Sequence, residues 1–210
     1  MSVVSEANKR PRVNIILHLI GRLVMWAAGW RIEGKEPDLA KYVVIVAPHT
    51  SNWDLPLFLF ASFVERIKGD WLGKHTVFWW PLGPVLRAFG GIPLDRGSSR
   101  NLVQQVVDEF NARDRMILGL APEGTRSRMP YWRSGFYHIA LQAQVPIVLI
   151  FADYGRKVCG WGPTIYPTGD ITADMDQIRG FCSTITPLRP DQVGPMRLRE
   201  EKDRTPDSTA

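Results

Sequence analysis

The chain is predicted to be an α/β protein: a single domain with a mixed, mostly parallel central sheet covered by helices, preceded by an N-terminal amphipathic helix. Three observations carry this. Its 210 residues suffice for one sizeable core but not for two comfortable domains. Continuous β-branched runs alternate with segments of helical period, the pattern of strands joined through helices. An apolar stretch near the N-terminus carries polar residues at steps of four, which stacks them on one helical face.

Residues 1–12 lack apolar periodicity and contain Pro11, so they read as a flexible N-terminus. In residues 13–30, Asn14, His18 and Arg22 form a narrow polar stripe. Ile15, Ile16, Leu19, Ile20, Leu23, Val24 and Trp26 cover the rest, as in a helix lying in a membrane interface. A helix covering one edge of the sheet fits the same pattern. A membrane span or a cleaved signal peptide fits less well, because His18 and Arg22 interrupt the apolar run.

The main domain is expected over residues 31–190. Tyr42 to Ala47 reads as a buried strand, after which Ser51 or Asn52 caps a helix running to about Ile67. A strand at Gly91 to Asp95 leads into a helix whose Leu102, Val103, Val106, Val107 and Phe110 recur at helical spacing. Met116 to Leu120 is a third strand, followed by a helix near Ser134 to Ala143 and a strand at Val145 to Phe151. Residues 191–210 are polar, carry Pro206 and read as a flexible C-terminal tail.

Charge and composition narrow the function classes. Twenty-six Lys and Arg against 21 Asp and Glu leave a net charge of +5, suited to anionic lipid, phosphorylated small molecules or nucleic acid. Basic residues are interspersed with acids and no nucleic-acid motif appears, which sets nucleic acid aside. Cys159 and Cys182 lack paired spacing and nearby histidines, so neither a zinc site nor a disulfide framework is indicated, and a reducing, cytosol-facing environment is expected. Trp79, Trp80 and Pro81 sit together, either as a loop reaching into lipid headgroups or as core packing. Gly29 to Lys35 matches the first seven positions of a phosphate loop, but Glu36 replaces the required hydroxyl residue and Pro37 follows.

The chemistry concentrates in two loops. His49 and Asp54 stand five positions apart across a strand-to-helix turn, which can bring imidazole and carboxylate together. A carboxylate on one ring nitrogen fixes the tautomer and leaves the other basic toward an alcohol. Alone, such a pair is equally well a structural histidine. It is accompanied, however, by Ala121-Pro-Glu-Gly-Thr-Arg-Ser-Arg128 after a strand, with guanidinium forks suited to phosphate and a glycine permitting close backbone approach. Arg96 offers a further cation at another strand end. No G-x-S-x-G nucleophile elbow is present, which disfavours a covalent serine hydrolase.

These blocks, over roughly residues 42 to 151, resemble the glycerophosphate and lysophosphatidate O-acyltransferase family. The resemblance implies that His49 and Asp54 carry catalysis and that Arg96, Glu123, Gly124, Thr125 and Arg126 bind the acceptor. Val145-Pro-Ile-Val-Leu149 is similar to the family block associated with the acyl donor, although Leu149 departs from its second proline. The implied reaction moves a fatty acyl group from an acyl thioester, on coenzyme A or acyl carrier protein, to a lysophospholipid hydroxyl. The first acceptor is 1-acylglycerol-3-phosphate, giving phosphatidic acid. No metal or cofactor is expected, and the membrane surface is the expected partner, at its cytoplasmic face. Another lyso-lipid acceptor, a phospholipid-ester hydrolase and a non-catalytic lipid-surface binding protein are the alternatives.

Overall fold

A computed structural model of the chain describes residues 13–67, 69–74, 78–81, 83–84, 87, 90–94, 99–125 and 128–201. Five strands form the main sheet in the order β1-β7-β6-β2-β5. They are β1 (Arg31–Glu33), β2 (Lys41–Val46), β5 (Met116–Leu120), β6 (Ile147–Asp153) and β7 (Val158–Ile165). A parallel pair, β3 (Trp71–Lys74) and β4 (Gly91–Leu94), adjoins it through a parallel bridge from Asp70 to Leu118. β5, β2 and β6 run parallel, β7 turns back antiparallel to β6, and β1 follows β7. The sheet is therefore mixed and mostly parallel.

β2 lies at the centre because its side chains are apolar on both faces, as a strand covered on both sides requires. Val43, Ile45 and Ala47 point into one core with Phe110, Phe136, Ile139, Met175 and Ile178, while Tyr42 and Val44 meet Val148 on the other face. The first core is roofed by α3 (Ser99–Ala112), α4 (Gly135–Gln142) and α5 (Ile171–Cys182). The second face is covered by α2 (Asp54–Glu65), whose Leu57 packs with Ala152 and Cys159. Between α2 and the sheet remains a largely apolar cavity of about 310 Å³, with Leu55 and Phe58 above and Val44, Ile117, Ile150 and Trp161 below.

α1 (Ile15–Ala27) lies within residues 13–30, with Asn14 capping it by accepting the Ile16 N–H at 2.9 Å. Its partner is α2, and of the polar stripe His18 meets it. His18 Nδ1 donates to the Val64 carbonyl at 3.0 Å. Gly21 lies so close to Phe60 and Phe63 that a Cβ would collide with them. Ile15, Ile16, Leu19, Ile20, Leu23 and Trp26 consequently face outward, with Leu23 63% and Trp26 78% exposed.

Three expectations change. α2 starts at Asp54 with Trp53 at its cap position and no side-chain cap, because the Asp54 carboxylate instead gathers the preceding N–H groups. Trp79 and Trp80 are exposed, Trp80 by 81%, so neither packs the core. The tail expected from residue 191 is docked as far as residue 201: Leu198 is buried, Trp132 N–H donates to the Arg197 carbonyl at 2.8 Å, and Arg179 holds Glu201 at 2.7 Å. Met196 also packs against the core, and Ser134 donates to Glu200 at 2.6 Å, so apolar and polar contacts together seat the segment.

The buried carboxylate of Asp174 ties α5 to α4, accepting the Tyr137 hydroxyl at 2.7 Å, the Thr168 N–H at 2.8 Å and the Thr168 hydroxyl at 3.0 Å. Asp174→Ala leaves the Tyr137 hydroxyl buried and unpaired, so the unfolding free energy should fall by about 2–4 kcal/mol in urea titration. Adding Tyr137→Phe should restore part of it. A loss below about 1 kcal/mol would mean the network is relieved by water.

Candidate active site

Strand register builds the site. Ile45 of β2 pairs with Leu120 of β5, and Val46 with Ile150 of β6. The loops leaving the C-terminal ends of these three parallel neighbours emerge side by side, where open α/β sheets gather their ligands. His49 leaves β2, Glu123 leaves β5, and Tyr154 follows β6.

His49 Nδ1 lies 2.9 Å from Asp54 Oδ2, with the histidine side chain 15% exposed and the aspartate 2%. The approach is oblique: the pair is within ion-pair reach, but Nδ1 makes no well-aligned hydrogen bond. Catalytic hydrogen bonds commonly straighten only when substrate is bound. Asp54 Oδ2 also accepts the Thr50 and Ser51 N–H groups, both at 3.1 Å, and Oδ1 accepts the Tyr154 hydroxyl at 2.6 Å. Burial alone would raise the Asp54 pKa. The close His49 ring, the Tyr154 hydroxyl and the Ser51 N–H outweigh it and hold the carboxyl below its ordinary range.

Glu123 is placed differently. Its Oε1 accepts the His49 backbone N–H at 2.9 Å, fixing the loop rather than touching the ring. Oε2 is buried without a partner among the described residues. Burial pushes the Glu123 carboxyl up to about 7, against the lowering effect of the His49 N–H. Gly124 adopts φ +65°, and a Cβ there would run into the Arg133 side chain. Thr125 is exposed beside it. Arg96 and Arg126 lie outside the described residues. Thr50 Oγ1 accepts the Arg189 N–H at 3.2 Å, and residues 192–196 close a small recess against His49, Glu123 and Trp132.

The arrangement supplies an imidazole with a buried carboxylate behind it. Burial pushes the Cys159 and Cys182 thiols up to about 12, so neither is a ready thiolate nucleophile. Among the described residues, no cluster of three or more His, Cys, Asp or Glu is arranged to hold a metal. Tyr154 belongs to none of the motifs seen in the sequence. It stands 100 residues from Asp54, and only the β2–β6 register brings the two together.

Residues 30–151 match the family model described as Acyltransferase. The chain belongs to the acyltransferase family. The 1-acyl-sn-glycerol-3-phosphate acyltransferase of Limnanthes douglasii is 32% identical to this chain over 144 residues, 64% of this chain and 50% of that protein. The human 1-acyl-sn-glycerol-3-phosphate acyltransferase beta is 26% identical over 156 residues, 70% of this chain and 55% of that protein. The chain thus spans about half the length of the curated relatives it matches. Its fold is shared with the crystal structure of the 1-acyl-sn-glycerophosphate (LPA) acyltransferase PlsC from Thermotoga maritima. That match has a TM-score of 0.53 and 17% identity, and covers 81% of this chain and 75% of the other.

The largely desolvated Glu123 carboxyl should make stability depend on pH. Because its folded pKa of about 7 lies above the ordinary 4.5, the fold is penalised progressively as pH rises from 4.5 to 7, and fully above that. Glu123→Gln keeps an acceptor for the His49 N–H without the charge. At pH 8 it should be more stable than wild type by on the order of 2 kcal/mol, and near pH 4.5 the advantage should vanish. Parallel thermal unfolding curves at both pH values would contradict this.

Proposed function

We propose that this chain transfers a fatty acyl group from an acyl thioester to the free hydroxyl of a lysophospholipid, with 1-acylglycerol-3-phosphate as the first candidate. The observation that carries the reading is the His49–Asp54 pair, with a buried carboxylate facing Nδ1. Nδ1 then holds the ring proton and Nε2 is the basic nitrogen. Nε2 takes the proton of the acceptor hydroxyl as its oxygen attacks the thioester carbonyl. The tetrahedral intermediate collapses, the C–S bond breaks, and the imidazolium returns the proton to the departing thiolate of coenzyme A or acyl carrier protein. Asp54 stabilises the imidazolium between the two transfers. No covalent acyl-enzyme is needed, consistent with the unreactive cysteines. The named relatives support the acceptor class, and Arg96 and Arg126 are its proposed phosphate ligands.

Two further features support a lipid substrate met at a membrane surface. The apolar cavity under α2 begins at Leu55, next in sequence to Asp54, and its lining suits an acyl chain. The outward side chains of α1 continue in space with α2, where Trp53, Leu55 and Leu59 are also exposed. A patch of this kind is costly in water and favoured in the headgroup and acyl boundary. Among the described residues no helix is long and apolar enough to cross a membrane. We accordingly place the protein on the membrane, and the free cysteines favour the cytoplasmic face.

Purified protein in detergent should transfer a labelled acyl group from a thioester to lysophosphatidate, and His49→Ala should lower turnover by about 10²- to 10⁴-fold without unfolding. Transfer to another lyso-lipid alone would move the acceptor assignment. Release of free fatty acid without an acceptor would make the protein a hydrolase. In liposome flotation, the double variant Leu19→Asp, Leu23→Asp should bind about tenfold less than wild type while retaining its thermal transition. Unchanged flotation would separate α1 from membrane seating.

A further inference from the structure

β5, β2 and β6 each deliver a polar residue to one place, and only two of these residues belong to a recognised motif. The third, Tyr154, is fixed from three directions. Its hydroxyl donates to Asp54 Oδ1 at 2.6 Å, its N–H donates to the Thr186 carbonyl at 2.8 Å, and its ring meets Trp30 edge-on with centroids 5.0 Å apart. Trp30 is itself held at the end of α1 by its N–H to the Met25 carbonyl at 2.9 Å.

We propose that Tyr154 is a positioning residue for acyl transfer, holding the Asp54 carboxylate in the orientation that faces His49. The inference rests on the function proposed above. An aspartate carboxylate rotates easily about its last side-chain bond. Oδ2 is shared among the Thr50 N–H, the Ser51 N–H and the His49 ring, whereas among the described residues Oδ1 has Tyr154 as its donor. Losing that donor frees one end of the carboxylate, and the already oblique His49 contact loses its alignment first. Burial, and then the hydrogen bond to Asp54 and its charge, raise the Tyr154 pKa well above its ordinary value, so the phenol remains a donor across the working range. The titratable groups facing this assembly are His49 and Glu123 from the strand-end loops and Cys159 from β7. Tyr154 is behind Asp54 and acts through it.

A structural staple between the β6 end and α2 would show the same contacts, so the test must read the carboxylate itself. The full chain in detergent, with ¹³C-labelled aspartate, is titrated as wild type and as Tyr154→Phe, and kcat and KM are measured on the same preparations. The Asp54 carboxyl should begin to protonate at higher pH in the variant, because a donor that lowers its pKa is gone. The acid limb of the kcat profile should move the same way. kcat should fall about 10-fold and KM for either substrate should stay within about twofold. Incorporation of 3-fluorotyrosine at Tyr154, a stronger donor of nearly equal size, should move the carboxyl titration and the acid limb in the opposite direction and leave the thermal transition in place.

An Asp54 titration that does not move in either variant overturns the inference, as does a rise in KM with kcat unchanged. Lost turnover with an unmoved titration would assign Tyr154 to stability alone. Absence of acyl transfer by wild type would overturn the proposed function. The carboxyl titration, which needs no substrate, would still decide whether Tyr154 holds Asp54.

Discussion

The Asp54 carboxylate is the constraint on which the site depends. It is almost fully buried, and its two oxygens collect donors from the His49 loop and the end of β6. A buried anion is tolerated only when several donors replace its lost hydration. Those same donors determine where it points. Holding Thr50 and Ser51 by their N–H groups folds the loop back over the start of α2, which brings His49 against the carboxylate five residues on. Loop shape and proton chemistry thus arise from one set of hydrogen bonds.

The parallel order of β5, β2 and β6 makes this possible, since only parallel neighbours send consecutive loops out at the same end. The opposite faces of the sheet then serve different ends. One is roofed by α3, α4 and α5 over a packed core. The other is covered by α2, with Met25 of α1 joining Leu57 against Ala152 and Cys159, and this cover leaves the apolar cavity. Gly21 lets α1 approach closely, and His18 bonds to the end of α2, so the side of α1 that holds them is spent on the helix pair and most of its apolar side chains are left outside. This reverses the order of a soluble surface helix.

Legibility followed how local each signal was. β2 and β5 were visible because a strand buried on both faces is a continuous apolar run, and α3 because its period is regular. The spacing of His49 and Asp54 is local, so the pair could be named from sequence. The direction of α1 could not be, because a 3.6-residue period identifies two faces without saying which one meets protein. β1 and β7 were missed: β1 is three residues long and β7 is interrupted by Gly160, Gly162 and Pro163. Tyr154 had no signal at all. Its partner is remote in sequence, and a tyrosine at a strand end is unremarkable until the register is known.

Two carboxylates reach His49, and the fold assigns them opposite charge states. Asp54, with donors on both oxygens, is held below its ordinary range; Glu123, with one donor and an unpartnered buried oxygen, is pushed up to about 7. Asp54 faces the ring, while Glu123 is spent on the backbone N–H. In the proposed reaction, two fully ionised carboxylates would together stabilise the imidazolium and weaken its return of the proton to the leaving thiolate. Keeping Glu123 largely neutral below its raised pKa of about 7 leaves a single counter-charge on the ring there. Pushing two acid groups apart in pKa through unequal hydrogen bonding lets one hold the loop and the other govern the proton.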